Sequence, residues 1–266
     1  LVHRVGDLAD TAERYEAHGF RLTPLAFHDD HMGTSNRLAQ FRRRNFIELL
    51  EVDRPAGVWP HGADASAPTF SFGAHNLVFD GDGASMLVFA TSDARADIAA
   101  FRRRRVPTYA PFDFERQAVL PDGESVTVGF SLGFATSPSM PRLAFFVCEN
   151  RRQDLFWKAE FQAHPNEAEG MAAIFMASPE PERDSAFISS LFEGEVVSIE
   201  GGYSVRCAED RVRVLEADAV VAIDSSVPKS VPGFGKSAVI AGVELPGLAQ
   251  LIPAANNRGV FLRPGP

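Results

Sequence analysis

Two cysteines in 266 residues, Cys148 and Cys207, give no disulfide framework on which a fold could rest. Each sits in an apolar, strand-like run and reads as a buried free thiol of a reducing compartment; a single bridge between them has no spacing signal behind it. Cationic residues are also short, 26 Lys and Arg against 35 Asp and Glu, for a net charge of −9. That balance excludes nucleic acid as a general partner, because phosphate binding needs a basic surface. The arginine runs Arg42–Arg44 and Arg102–Arg105 are local and read as solvated ends of strands or helices. No apolar stretch approaches the ~18–20 residues that cross a bilayer, so no membrane contact is expected. The first residues lack a charged start followed by an apolar signal core, and the cytoplasm is the expected location. No Gly-x-x-x-x-Gly-Lys run is present, and no Gly-x-Gly-x-x-Gly follows a strand, so the common nucleotide-binding loops are absent. Tyrosine (3) and tryptophan (2) are scarce beside 22 phenylalanines, which suggests either an apolar cavity or a phenylalanine-packed core.

What is present is ordinary globular material. Hydrophobic residues make up 45% and charged residues 23%, and the length suits one large or two ordinary domains. The opening reads strand, helix, strand. Leu1–Val5 is extended, Asp7 is a helix N-cap, Leu8, Ala12 and Tyr15 fall at helical spacing, and Gly19 stops the helix. Phe20–Pro24 reads as the next strand, and Arg37–Arg42 and Asn45–Val52 as an antiparallel pair joined by a tight turn. The unit is βαβββ, and its order recurs. A second pass takes Ser85–Ala90, a helix over Ala94–Arg104 capped at Ser92-Asp93, then Val106–Ala110, Ser125–Leu132 and Leu143–Cys148, with a turn at Pro121-Asp122-Gly123. A third takes Met171–Ala177, a helix over Glu182–Leu191, then Glu195–Ile199, Tyr203–Cys207 and Val212–Glu216. A partial fourth takes Ser237–Val243, a helix around Leu245–Leu251, and Gly259–Leu262. Asp53–Pro68, Ser137–Pro141 and Ala222–Lys236 read as linkers or breakers. The expected fold class is α+β, with repeated βαβββ modules forming curved mixed sheets around a cavity; an unrepeated two-domain α+β protein is the plainer alternative.

Three segments carry a family resemblance. His3-Arg4-Val5-Gly6-Asp7-Leu8, running on to Tyr15-Glu16-Ala17-His18-Gly19-Phe20, resembles the first strand and helix of glyoxalase-like proteins of the vicinal-oxygen-chelate superfamily, the group that includes bleomycin-resistance proteins and dioxygenases. His31-Met32-Gly33-Thr34-Ser35-Asn36-Arg37-Leu38 is similar to the His-x-Gly-Thr-x-Asn segment of one subfamily. Phe46-Ile47-Glu48-Leu49-Leu50 is similar to the fourth strand of its module. The likeness is sharpest over residues 1–52 and continues less sharply through Ser85–Asn166. It implies a glyoxalase-like domain over 1–166, built of modules 1–52 and about 73–150, followed by a further module and a partial fourth over 167–266.

The resemblance also implies a divalent metal ion held by a residue of the first strand, His3, and by Glu48 of the fourth. Glu48 stands out on residue grounds too, because it interrupts an apolar strand in which an unpaired carboxylate is costly. Pairing with Arg37 or Arg42 is the alternative account. The second module's first strand, Ser85–Phe89, offers no ligand; Glu149 is the local substitute, or else a solvated strand end. His164-Pro165-Asn166 follows Trp157–Gln162, a segment similar to one in the same proteins. His164 is therefore a further metal candidate, its backbone restrained by the proline, or else a turn residue. His75 is weaker. Within the loop cluster His28, Asp29, Asp30 and His31, the resemblance favours His31, with Thr34 and Asn36, as ligand-facing. Two functions follow as expectations. One is a metal-dependent lyase, isomerase or dioxygenase acting on a small molecule with vicinal oxygens. The other is a non-catalytic protein that binds or sequesters a small molecule. Such open sheets close within one chain or between two, so a homodimer is one expected form.

Overall fold

The computed structural model describes residues 1–62 and 68–265; the linker read over Asp53–Pro68 thus lies partly outside the described residues. The first module is β1 (Val2–Arg4), α1 (Leu8–Ala17), β2 (Ala26–Phe27), β3 (Thr34–Gln40) and β4 (Phe46–Val52). A short helix, α2 (Phe72–Leu77), leads to the second: β5 (Gly83–Thr91), α3 (Ala94–Arg103), β6 (Phe112–Val119), β7 (Ser125–Thr136) and β8 (Ala144–Asn150). After α4 (Gln153–Phe156) the third follows: β9 (Ala173–Ala177), α5 (Pro181–Phe192), β10 (Val196–Ile199), β11 (Gly202–Cys207) and β12 (Asp210–Leu215). Two more helices, α6 (Ala217–Ile223) and α7 (Val227–Ser230), precede β13 (Val239–Leu245) and β14 (Phe261–Pro264).

The expected α+β class and repeated βαβββ order are both present. In each module the first and last strands pair in parallel: β1 with β4, β5 with β8, β9 with β12. The other strands complete each unit in antiparallel ladders. The fourth unit keeps only its parallel outer pair, β13 with β14. The modules join through their first strands, β1 to β5 and β9 to β13, giving one mixed 14-stranded sheet.

Local chemistry explains the helix positions. Asp7 and Asp93 are extended and accept from Asp10 N–H and Ala96 N–H, so each satisfies an otherwise unpaired donor of a first turn. Leu8, Thr11, Ala12 and Tyr15 then form one buried stripe, as do Ala94, Ile98 and Phe101.

Four assignments made from the sequence are corrected. Phe20–Pro24 is not a strand; its short ladder lies at Ala26–Phe27. Val106–Ala110 contributes only an isolated bridge at Thr108, and the strand is Phe112–Val119. Leu245–Leu251 forms no helix, because β13 runs through Leu245 into a turn where Gly247 has φ +87°. Ala222–Lys236, read as linker, contains the end of α6 and all of α7. No helix of the described residues is long and apolar enough to cross a membrane.

Alternation gives the sheet two faces. Leu1, Val5, Ile47, Leu49, Phe145 and Val147 pack toward the helices. Val2, Leu38, Leu50, Met86, Phe134 and Phe146 face the concave side of the first two modules, where β2 approaches β6. That concave side is a cup, and it holds the site.

Candidate functional site

The cup is lined by His28, Asn36 and Glu48 from the first module and by Phe114, Arg116, Leu132, Phe146 and Cys148 from the second, and it encloses about 50 Å³. Phe46, Phe72, Phe130 and Phe156 complete its wall. A larger cavity of about 580 Å³ lies beside it, between β4, β5 and the third module, and shares Phe46, Phe130, Cys148 and Phe156 with the cup.

The polar side is a single hydrogen-bonded chain. Antiparallel register sets Leu38 opposite Glu48 and Asn36 opposite Leu50, so the side chains of β3 and β4 share the concave face. Asn36 Nδ2 donates to Glu48 Oε1 at 2.5 Å and lies 3.4 Å from His28 Nε2. An amide nitrogen only donates, so Nε2 is the bare acceptor and Nδ1–H donates to Thr34 Oγ1 at 2.8 Å. The backbone holds the arrangement from below. Gly33 adopts φ +64°, and a Cβ there would lie 2.5 Å from Val58 and 2.6 Å from the Arg54 carbonyl, so glycine is required beside this loop. Arg54 in turn donates to the carbonyls of His28 and Thr34.

Burial dominates the electrostatics. It pushes the Glu48 carboxyl above its ordinary range, a rise opposed by the Asn36 bond and by the Arg116 charge. It pulls His28 down to about 3, with the charges of Arg116 and Arg54 acting in the same direction, so this imidazole is neutral. Cys148 is pushed up to about 12 by burial and by Glu48, and is a thiol rather than a thiolate. Arg116 is pulled down by burial and supported by Glu48.

The residues expected from the sequence divide into two groups. Asn36 and Glu48 line the cup, and Thr34 stands behind them, holding the His28 ring. His31 does not line the cup; its ring lies tilted 4.7 Å from Trp59 and edge-on 5.9 Å from Phe112 between centroids. His3 is not brought to Glu48. Parallel register pairs Val2 with Glu48 and His3 with Leu49, so His3 points to the helix side of the sheet. There Nε2–H donates to the Arg258 carbonyl at 2.9 Å, and Nδ1 accepts from the Tyr15 hydroxyl at 3.1 Å. Glu149 also faces the helices and accepts from Ala94 N–H at 3.1 Å, the position Glu51 holds toward Leu8 N–H in the first module. His164 is packed against Phe20 and Phe41; its Nδ1 accepts from Arg21 N–H at 2.9 Å and its Nε2–H donates to the Gln40 carbonyl at 2.7 Å. Neither salt-bridge alternative holds for Glu48: Arg37 pairs with Glu16, and no ion pair joins Glu48 to Arg42 among the described residues.

Two cup residues were missed by sequence reasoning. His28 is in the loop cluster, but the ladder continues past β2 through its N–H to the Thr34 carbonyl, which turns its ring inward. Arg116 lies on β6, where Phe112, Phe114, Arg116 and Ala118 alternate with more exposed residues; that alternation was the available signal. The run Gly129-Phe130-Ser131-Leu132-Gly133 has the spacing of a serine nucleophile motif. It lies inside β7, however, and its Ser131 hydroxyl donates to Asp113 at 2.6 Å rather than to an imidazole.

Among the described residues, no group of three or more His, Cys, Asp and Glu side chains is placed to hold a metal ion. His28 Nε2 and Glu48 Oε1, 3.9 Å apart, are two donors with an amide nitrogen beside them. The opposite wall is phenyl, leucyl and a neutral thiol, and a guanidinium adds positive charge. Divalent transition ions take three or four donors and no adjacent cation, so the residues present do not fit one.

Comparison with known proteins agrees with the fold. Residues 1–192 match the family described as a glyoxalase-like domain. No protein of curated function matches the chain. Among solved structures, a hypothetical protein from Staphylococcus aureus aligns over 100% of this chain and 97% of its own at 13% identity, with a TM-score of 0.68. A variant of 4-hydroxymandelate synthase from Streptomyces coelicolor aligns over 92% and 70% at 10% identity, TM-score 0.49. A Mn(II)-bound glyoxalase from Novosphingobium aromaticivorans aligns over 92% and 63% at 12% identity, TM-score 0.45.

Proposed function

Because this chain belongs to the glyoxalase-like domain family of the vicinal-oxygen-chelate superfamily, we propose that it binds a small molecule in the cup, with Asn36 and Glu48 as direct contacts. The observation that carries the reading is a buried carboxylate in a phenylalanine-lined cavity, held by one amide and with its second oxygen free of any protein donor among the described residues. A carboxylate so placed favours a ligand that brings its own hydroxyl or N–H, because a lone pair left without a donor is costly in such surroundings. Its raised proton affinity also makes Glu48 the group that would take a proton from the ligand, were a reaction to follow. Thr34 fixes the His28 ring, and His31 with Trp59 stands outside the lining. His3, Glu149 and His164 are left out of this site. We propose residues 1–166 as the part that binds, with 167–266 as a structural continuation.

The metal-dependent lyase, isomerase or dioxygenase of the resemblance stands below this reading because the donor set is too small. Calorimetric titration with Mn²⁺ and Zn²⁺ tests both. Binding of less than about a tenth of an equivalent is expected, unchanged by Glu48→Gln. One equivalent bound by the wild type and lost in that variant would overturn the order of preference.

A further inference from the structure

Among the described residues that line the cup, Arg116 is the one Lys or Arg, and its surroundings differ from those of the other well-placed arginines. Arg43, Arg54, Arg95, Arg104, Arg151 and Arg258 each hold a carboxylate of this chain. Among the described residues Arg116 holds none. Its guanidinium makes one side-chain hydrogen bond, Nη1 to the carbonyl of its neighbour Gln117 at 3.2 Å, and its Cζ lies 5.9 Å from the Phe130 ring centroid. A guanidinium offers five N–H donors in a planar fork, and among the described residues four of these have no protein acceptor, beside an apolar wall. Glu48 lines the same cavity but is engaged by Asn36 and forms no ion pair with Arg116 among the described residues.

We infer that the cup selects an anionic ligand, a small carboxylate or phosphoryl compound, and that Arg116 is the residue that sets this preference. The inference rests on the proposed small-molecule site and names its substrate class. The ligand's anionic group lies in the Arg116 fork, bidentate as such groups pair with arginine, and a hydroxyl or N–H on the neighbouring atom faces Glu48. At about 50 Å³ the cup takes the charged head and the carbon beside it, with Phe114 and Phe130 covering the apolar part. The ligand's charge also gives this half-buried arginine a directly paired counter-ion, whereas Glu48 acts on it only at a distance. The other second-module residues lining the cup are Phe114, Phe130, Leu132, Phe146 and the neutral thiol of Cys148, so this guanidinium is not part of a general polar lining.

The test is an NMR titration of the full chain with propionate, methylphosphonate and neutral propionamide, at matched ionic strength, on wild type, Arg116→Gln and Arg116→Lys. At least one anion should shift cup resonances at Asn36 and Phe114 and bind at least ~10-fold more tightly than propionamide, the return expected of a charge-assisted pair. Preference for propionate over methylphosphonate, or the reverse, separates carboxylate from phosphoryl ligands. Arg116→Gln should bind the anions no better than the amide, and Arg116→Lys should recover part of the difference. If propionamide binds wild type as well as either anion does, the inference is overturned while the small-molecule site stands. If none of the three shifts cup resonances, both fall. Retained amide spectra in the variants show that they fold.

Discussion

The first module carries His28, Asn36 and Glu48 on the concave side; the second, at the matching register positions, carries Phe114, Leu132 and Phe146. The match is geometric. Leu38 pairs with Glu48 as Phe134 pairs with Phe146, Asn36 with Leu50 as Leu132 with Cys148, and the Thr34 level with His28 as Phe130 with Phe114. Around the site the scaffold chemistry is the same in both halves: an aspartate cap on the helix, and Glu51 or Glu149 accepting from its first turn. The two modules thus share the residues that build helices and strands and differ at the positions that face the cup. A repeated fold can therefore be half polar chain and half aromatic wall, and Arg116 is the exception that places a charge on the aromatic side.

The comparison can be broken most severely by making the second half resemble the first. Phe146→Glu puts a carboxylate among Phe72, Phe134 and Leu132 with no amide to hold it, and should cost about 4 kcal/mol or more in denaturant unfolding. The reverse exchange is milder. Asn36→Leu removes the donor of Glu48 and should cost about 2 kcal/mol at pH 7. That cost should shrink in acid, where a protonated Glu48 no longer needs the bond; an equal loss at both pH values would refute the assigned role.

The two halves should also differ in pH response. His28 has its folded-state pKa depressed from 6.5 to about 3, so the stability present above pH 6.5 is lost progressively as pH falls from 6.5 toward about 3. Unfolding takes up its proton, and His28→Gln should flatten the acid limb by about 1.4 kcal/mol per pH unit. Glu48 works in the opposite sense: its folded-state pKa is raised, so its buried charge destabilises the fold above that range and not below it. Glu48→Gln should therefore stabilise the protein at pH 7, by about 1 kcal/mol, and leave its stability unchanged in acid. The smallest effect belongs to Glu149→Gln, which weakens only a helix-end contact: about 0.5 kcal/mol by thermal unfolding, with no change in ligand titration.

Local signals carried much of this into the sequence. Asp7 and Asp93 announce helix starts with side chains that can act only on the next few residues, and the apolar strand broken by Glu48 announces a carboxylate that needs a reason. The side of the sheet on which His3 emerges is a different kind of fact. It depends on whether Glu48 pairs with Val2 or with His3, a one-residue matter of parallel register set by contacts 46 residues apart. Glu149 poses the same difficulty, since its parity in β8 points it at α3. Arg116 was legible in principle, but an alternating strand beside an arginine invites the reading that the charge faces solvent.

The tie around His3 has a consequence for where the molecule can be divided. Tyr15 accepts from Asn257 at 3.2 Å, His3 donates to the Arg258 carbonyl, and the Arg258 guanidinium reaches Asp10 and Asp82. The family match ends at residue 192, yet the opening strand and helix of that match are fastened by residues more than sixty positions beyond it. A fragment cut at 192 would strip the His3 imidazole and the Tyr15 phenol of their Arg258 and Asn257 partners and open them to water. Amide hydrogens of the opening strand should accordingly exchange with solvent only when the closing segment lets go, so that the two ends of the chain open as one cooperative unit.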